Sequence, residues 1–153
     1  MFHPASLFIP FLVLLPNLLF FRSTPQNMSG QPNPSLIFSV AEGIGRIGTM
    51  IVPLFFAVQL RRGYEIISLI VMILSLLLYY GGWCRYFLND RDYGLLFKPV
   101  MGIPLPLAIS PVLYFLAGSV ILHSILLFMF SVVFAAGHIP NSLREYKRIL
   151  HKD

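Results

Sequence analysis

The stretch from Ser35 to Leu60, SLIFSVAEGIGRIGTMIVPLFFAVQL, constrains this chain most, because it is long enough to cross a bilayer yet carries Glu42 and Arg46 inside it. At 100° per residue Ser35, Ser39, Glu42, Arg46, Thr49 and Pro53 fall within an arc of about 80°, and the rest of the circumference is apolar. A lone charge at the bilayer centre costs about 2.5–3.5 kcal/mol on insertion scales. Glu42 stands four residues before Arg46, so the two side chains meet on one face in the favourable order. The stripe therefore requires protein or water opposite it, and the other segments must supply that cover.

Composition excludes a soluble globule. Of the 153 residues 57% are hydrophobic and 11% charged, against about 25% charged in soluble domains. The sequence predicts one all-α transmembrane domain over 1–153, a polytopic bundle of four helices at about 5–21, 35–60, 64–80 and 111–136. A formal net charge of +5, gathered just beyond the apolar runs, fits orientation and attraction to anionic head groups; no nucleic acid is expected as a partner. Cys84 is the single cysteine, which excludes an internal disulfide and a CxxC motif; a lipid-protected structural thiol is expected ahead of a reactive one.

In chain order, residues 5–21 form a short apolar run interrupted by Pro10 and Pro16, read as a retained, bent helix. A signal peptide is the rival reading, but no Lys or Arg precedes the run and no clean small-x-small site follows it. Residues 22–34 have loop chemistry, and Asn27-Met28-Ser29 fits a glycosylation sequon, which matters only in a eukaryotic secretory pathway. The second helix should end at Arg61-Arg62-Gly63, and the third carries Glu65 near its start, where it is expected to be solvated. Gly45 and Gly48 lie beside the polar stripe, where another backbone can approach. From Gly81 to Pro106 a long loop is expected, with Arg85, Asp90 and Arg91 as a candidate loop site. Ser110-Pro111 reads as a helix start, Gly137 as a C-cap and Pro140 as a stop. The residues 141–153 then form a short basic tail helix at the cytoplasmic head groups.

With four crossings both termini share one side. Placing them in the cytoplasm puts Arg61, Arg62, Arg144, Lys147, Arg148 and Lys152 inside, and Arg22, Arg85, Arg91 and Lys98 outside.

The candidate intramembrane polar site is Glu42, Arg46, Ser39, Thr49 and His123, the last because it falls at the centre of the expected fourth helix. The pair is expected to be mutually satisfied and to face the interior, with His123 or the loop after Trp83 nearby. His3, His123, His138 and His151 are scattered, so no metal ligand set is read, and no cofactor motif or catalytic constellation is present. Gly137-His138-Ile139-Pro140 reads as a terminator with an interfacial histidine.

The combination of Pro16-Asn17, Glu42-x-x-x-Arg46, Arg85-Tyr86, Pro104-x-Pro106-x-Ala108-x-x-Pro111 and Gly137-His138-Ile139-Pro140 resembles small bacterial four-helix integral membrane proteins with no assigned activity. The resemblance implies a bacterial inner-membrane setting and brings no activity with it.

Three functional classes remain open at this stage. The leading expectation is a non-enzymatic structural or accessory bundle built around the Glu42–Arg46 pair, with membrane lipids and a second copy or another membrane protein as partners. The second is a small proton- or cation-coupled transporter, dimeric, using Glu42 as the exchanging carboxylate. The third is a membrane-embedded enzyme acting on lipid through Asp90, Arg91 and His138, disfavoured because the four-helix topology sets His138 opposite the other two.

Overall fold

The computed structural model describes residues 3–22, 25, 35–100 and 102–151. The Asn27 sequon and most of the loop expected over 22–34 lie outside these residues. All regular elements among the described residues are helical: α1 (Phe8–Arg22), α2 (Leu36–Ile51), α3 (Gly63–Leu88), α4 (Pro106–Ile121) and α5 (Ile125–Leu150). Short 3₁₀ turns precede α1 at Pro4–Leu7, extend α2 over Val52–Phe55 and sit in the α3–α4 connection at Tyr93–Leu96.

The largest departure from the four-helix expectation is a break inside the apolar run that begins at Pro106. His123 adopts a left-handed backbone conformation, φ +48°, which a continuous helix cannot contain. Ser124 then caps a new helix by accepting a hydrogen bond from Leu127 N–H at 3.2 Å. The expected helix 111–136 is thus two antiparallel helices, α4 and α5.

Proline and glycine signals were misleading at four further places. α4 starts at Pro106, not at Ser110-Pro111, and Ser110 Oγ instead donates back to Pro106 O at 2.6 Å. Pro140 does not stop α5, which runs on to Leu150 and absorbs the tail expected as a separate helix over 141–153. Gly81-Gly82 does not end α3, so the expected long loop shortens to 89–105. α2 tightens at Pro53, and the chain is extended from Phe56, well before Leu60. A proline costs about 3 kcal/mol inside a helix, and in α4 and α5 helix packing on both sides of it outweighs that cost.

The contacts give each helix a direction. His3 N–H donates to Leu54 O at 2.9 Å and Gln59 N–H to Ile121 O at 2.9 Å, so the start of the chain, the end of α2, the start of α3 and the α4–α5 turn share one end of the bundle. The ends of α1, α3 and α5 and the Tyr93–Leu96 turn share the other. α4 runs through the middle, with Val112, Tyr114, Phe115, Ala117 and Ile121 all buried. α1 is tied to α3 by Asn17 Nδ2 to Tyr79 Oη at 2.8 Å and Tyr80 Oη to Leu12 O at 2.8 Å.

Five passes place His3 and His151 at opposite ends, whereas the expectation of both termini on one side needed an even number. Four segments, Pro4–Phe21, Leu36–Phe55, Gly63–Leu88 and Ile125–Leu150, are long and apolar enough to cross a membrane. Their outward faces are apolar, with Ile37, Ile44 and Ile47 on α2 and Ile67, Leu74 and Leu77 on α3 all exposed. Such a surface belongs against lipid, since monomeric soluble proteins rarely expose so wide an apolar area.

Candidate functional site

α2 and α5 cross at close range because three glycines remove the side chains between them. A Cβ added to Gly45 would fall on the backbone of Phe134, one on Gly48 would enter the Phe130 ring, and one on Gly137 would strike the backbone of Glu42 and Phe38. Gly137 is therefore a packing position on α5, not its C-cap.

This crossing delivers the polar residues of α5 to Glu42. Arg46 Nη2 donates to Glu42 Oε1 at 2.5 Å across one helical turn. From α5, His138 Nδ1 lies 3.0 Å from the same oxygen, and Asn141 Nδ2 donates to Glu42 Oε2 at 2.8 Å. With Glu42 ionised both its oxygens only accept, so the imidazole proton sits on Nδ1 in this contact. The His138 ring stacks on Phe134 with centroids 4.7 Å apart, which fixes its plane.

Two cavities flank this network. One of about 450 Å³ is lined mainly by apolar groups, among them Met50, Tyr79, Trp83, Phe115 and Phe134, with Arg46 at its rim. The other, of about 410 Å³, gathers polar and charged residues, among them Ser39, Glu42, Asn141, Arg144, Glu145 and Arg148. His138, Ser142, Tyr93 and Phe97 border both. The Tyr93 hydroxyl is held near Glu145, which also pairs with Arg148. Burial first, and the Glu145 carboxylate second, push Tyr93 up to about 12.

The residues read from the sequence divide between two ends. Glu42 and Arg46 pair as expected, but the side chain of Glu42 is 17% exposed and that of Arg46 55%, so only the carboxylate faces inward. Ser39 lines the polar cavity with Glu42. Thr49 is buried and turns its hydroxyl back to Arg46 O at 3.0 Å.

His123 is not near this group. The helix break moves it from mid-helix to the opposite end of the bundle, where its Nε2 lies 2.7 Å from Glu65 Oε1. Glu65 is not solvated there: its side chain is 1% exposed, and it accepts from the backbone N–H groups of Arg61 and Arg62 at the start of α3. The loop after Trp83 does reach the Glu42 network, through Tyr93 and Phe97.

Among the candidate loop residues, Arg85 donates to Pro99 O at 3.0 Å and holds the connection in place. Asp90 and Arg91 form a tight left-handed turn, φ +50° and +56°. They lie at the same end as His138, contrary to the four-helix topology, yet neither lines either cavity. Among the described residues no group of three or more His, Cys, Asp or Glu side chains could hold a metal ion.

In the sequence His138 stands out only as a polar group of the lipid-enzyme reading, and Asn141 and Ser142 do not stand out at all. The signal was present: His138, Asn141, Glu145 and Arg148 fall within about 80° of one helix face. Treating Pro140 as a stop hid that stripe.

Searches with protein-family models, curated proteins and solved structures found no match to this chain.

Proposed function

We propose that this chain is a non-enzymatic multi-pass membrane protein, structural or accessory, in which the Glu42 network locks α2 against α5. The observation that carries this reading is the saturation of Glu42. Its two oxygens take Arg46, His138 and Asn141 from both helices, so the carboxylate is held for packing and not freed for chemistry. The setting implied by the resemblance, a bacterial inner membrane, fits the exposed apolar faces, with lipids as the primary partners and a second copy or another membrane protein as further ones.

Counting the shorter helix α4 as a crossing beside the four longer ones, we also infer a different orientation. The end that holds His138 carries Arg22, Arg85, Arg91, Lys98, Arg144, Lys147 and Arg148, whereas the opposite end carries Arg61 and Arg62. The positive-inside rule then sets the C-terminus in the cytoplasm and the N-terminus outside. Reporter fusions at both termini test this: the expected pattern is an external N-terminal reporter and a cytoplasmic C-terminal one. Two reporters on the same side would refute the five-crossing arrangement.

A second reading, a small proton-coupled transporter, draws on one observation. His138 and Glu42 form a carboxylate–imidazole pair, and His138 borders both cavities. Glu42→Gln in reconstituted vesicles separates the two. Lower thermal stability with no pH-driven flux in wild type supports the lock. Full stability together with loss of a flux present in wild type supports transport.

A further inference from the structure

The two cavities lie in series along the bundle, and the sequence of residues along both walls shows it. On α5 the order is Phe134 in the apolar cavity, His138 and Ser142 at the shared border, then Arg144 and Arg148 in the polar one. The antiparallel wall of α2 repeats the order, from Met50 and Arg46 to Glu42 and Ser39. Along α2 and α5 the apolar compartment therefore lies farther from the basic end than the polar one, while on α1 and in the α3–α4 connection it reaches that end at Phe21, Leu96 and Leu105. Both volumes fall within the ~300–1,000 Å³ of small-molecule sites.

We propose that the two cavities together bind a membrane phospholipid with an anionic headgroup, its acyl chain in the apolar cavity and its phosphate in the polar one beside Arg144.

Access and charge both select this occupant. Phe21 and Arg46 line the apolar cavity and are themselves exposed, 80% and 55%, so it opens to the outside of the bundle at these residues of α1 and α2. An acyl chain can enter through that opening past the apolar Phe21 ring. In the polar compartment Glu42 is matched by Arg46 and Glu145 by Arg148. Arg144 has no carboxylate within ion-pairing distance among the described residues; its guanidinium lies 4.8 Å over the Phe38 ring. The uncompensated charge in the compartment is therefore positive. Asn141 Oδ1 is buried there without a hydrogen-bond partner, and a headgroup hydroxyl would satisfy it. A phosphate with hydroxyls attached, carried on an acyl chain, meets all of these features at once.

The inference rests on the membrane reading of the chain but not on the role of Glu42, and the experiment separates the two. Trp83, the single tryptophan, lines the apolar cavity, so an acyl chain brominated along its length quenches it by contact. The full chain is reconstituted in phosphatidylcholine bilayers, and co-flotation with the vesicles is checked first; failure to float would overturn the membrane reading itself. At equal mole fraction, brominated phosphatidylglycerol should quench Trp83 more than brominated phosphatidylcholine. Arg144→Gln should reduce that preference about fivefold, the loss of one surface cation near an anionic lipid. Ala108→Phe, which fills the apolar cavity, should abolish quenching by both lipids with the chain still folded by circular dichroism. Equal quenching by the two lipids, or a preference unchanged in Arg144→Gln, overturns the proposal even where Ala108→Phe fails to fold.

Discussion

His138 Nδ1 lies 3.0 Å from Glu42 Oε1, across a sequence separation of 96 residues. The bond exists because Gly137 lets α5 approach the backbone of Glu42 and so puts the next side chain in reach of its carboxylate. Steric permission and polar recognition thus come from adjacent residues.

That geometry makes the cluster unequal. Glu42 contacts three groups, but Arg46 is half exposed and contributes only one of them. Glu42→Gln should cost about 1–3 kcal/mol, because it leaves polar partners from α5 short of an acceptor. Arg46→Met should cost less, since His138 and Asn141 remain bonded. Thermal melts in detergent check the order, and a double cycle of Glu42→Gln with His138→Phe should show coupling of about 0.5–3 kcal/mol. An Arg46→Met penalty equal to that of Glu42→Gln would contradict it.

The glycine contacts give a steric test. Gly137→Val should lower stability by about 1–3 kcal/mol or more, because its side chain meets backbone that cannot turn away. Gly43 has nothing within 4 Å of an added Cβ. Gly43→Ala should therefore be neutral or stabilise by about 0.5–1 kcal/mol through helix propensity. Melting temperatures of the two variants, measured side by side, decide whether the α2–α5 crossing is as close as described.

At the other end of the bundle Glu65 joins three groups, the Arg61 and Arg62 backbone N–H groups and His123. Glu65→Ala should cost about 1.5–3 kcal/mol, the range for hydrogen bonds to a charged group. His123→Gly loses one of those partners but suits a φ of +48°, so it should cost less than Glu65→Ala. Hydrogen exchange at the first turn of α3 provides the readout, with faster exchange in Glu65→Ala than in His123→Gly.

Tyr93 makes the connection between α3 and α4 sensitive to alkali. Its pKa is raised to about 12 by burial and by Glu145, above the value near 10 of an unfolded tyrosine. A raised folded pKa means that its contribution to stability is complete below about pH 10 and is lost as the pH rises through about 12. Alkaline melts should show this loss in wild type and a smaller one in Tyr93→Phe. Identical alkaline profiles would mean that the phenol is solvated.

The all-helical class, with apolar runs long enough to span a membrane, and the Glu42–Arg46 pair were legible in the sequence. Both are local: apolar runs of spanning length report the solvent a helix faces, and an i, i+4 spacing brings two side chains together whatever surrounds the helix. That His123 ends α4, that α5 passes Pro140, and that Glu42 bonds to His138 and Asn141 was settled by long-range packing. Each of these outcomes depends on a comparison between a local preference and contacts made by distant residues. Pro140 is a stop only if the helix beyond it has nothing to pack on, and the Tyr93–Leu96 turn supplies that partner through the Tyr93 hydroxyl held near Glu145. His123 interrupts a long apolar run because Glu65, 58 residues away, meets its ring at the end of the bundle. One break then changes the number of passes along the bundle from even to odd, and with it the end of the bundle at which each terminus lies.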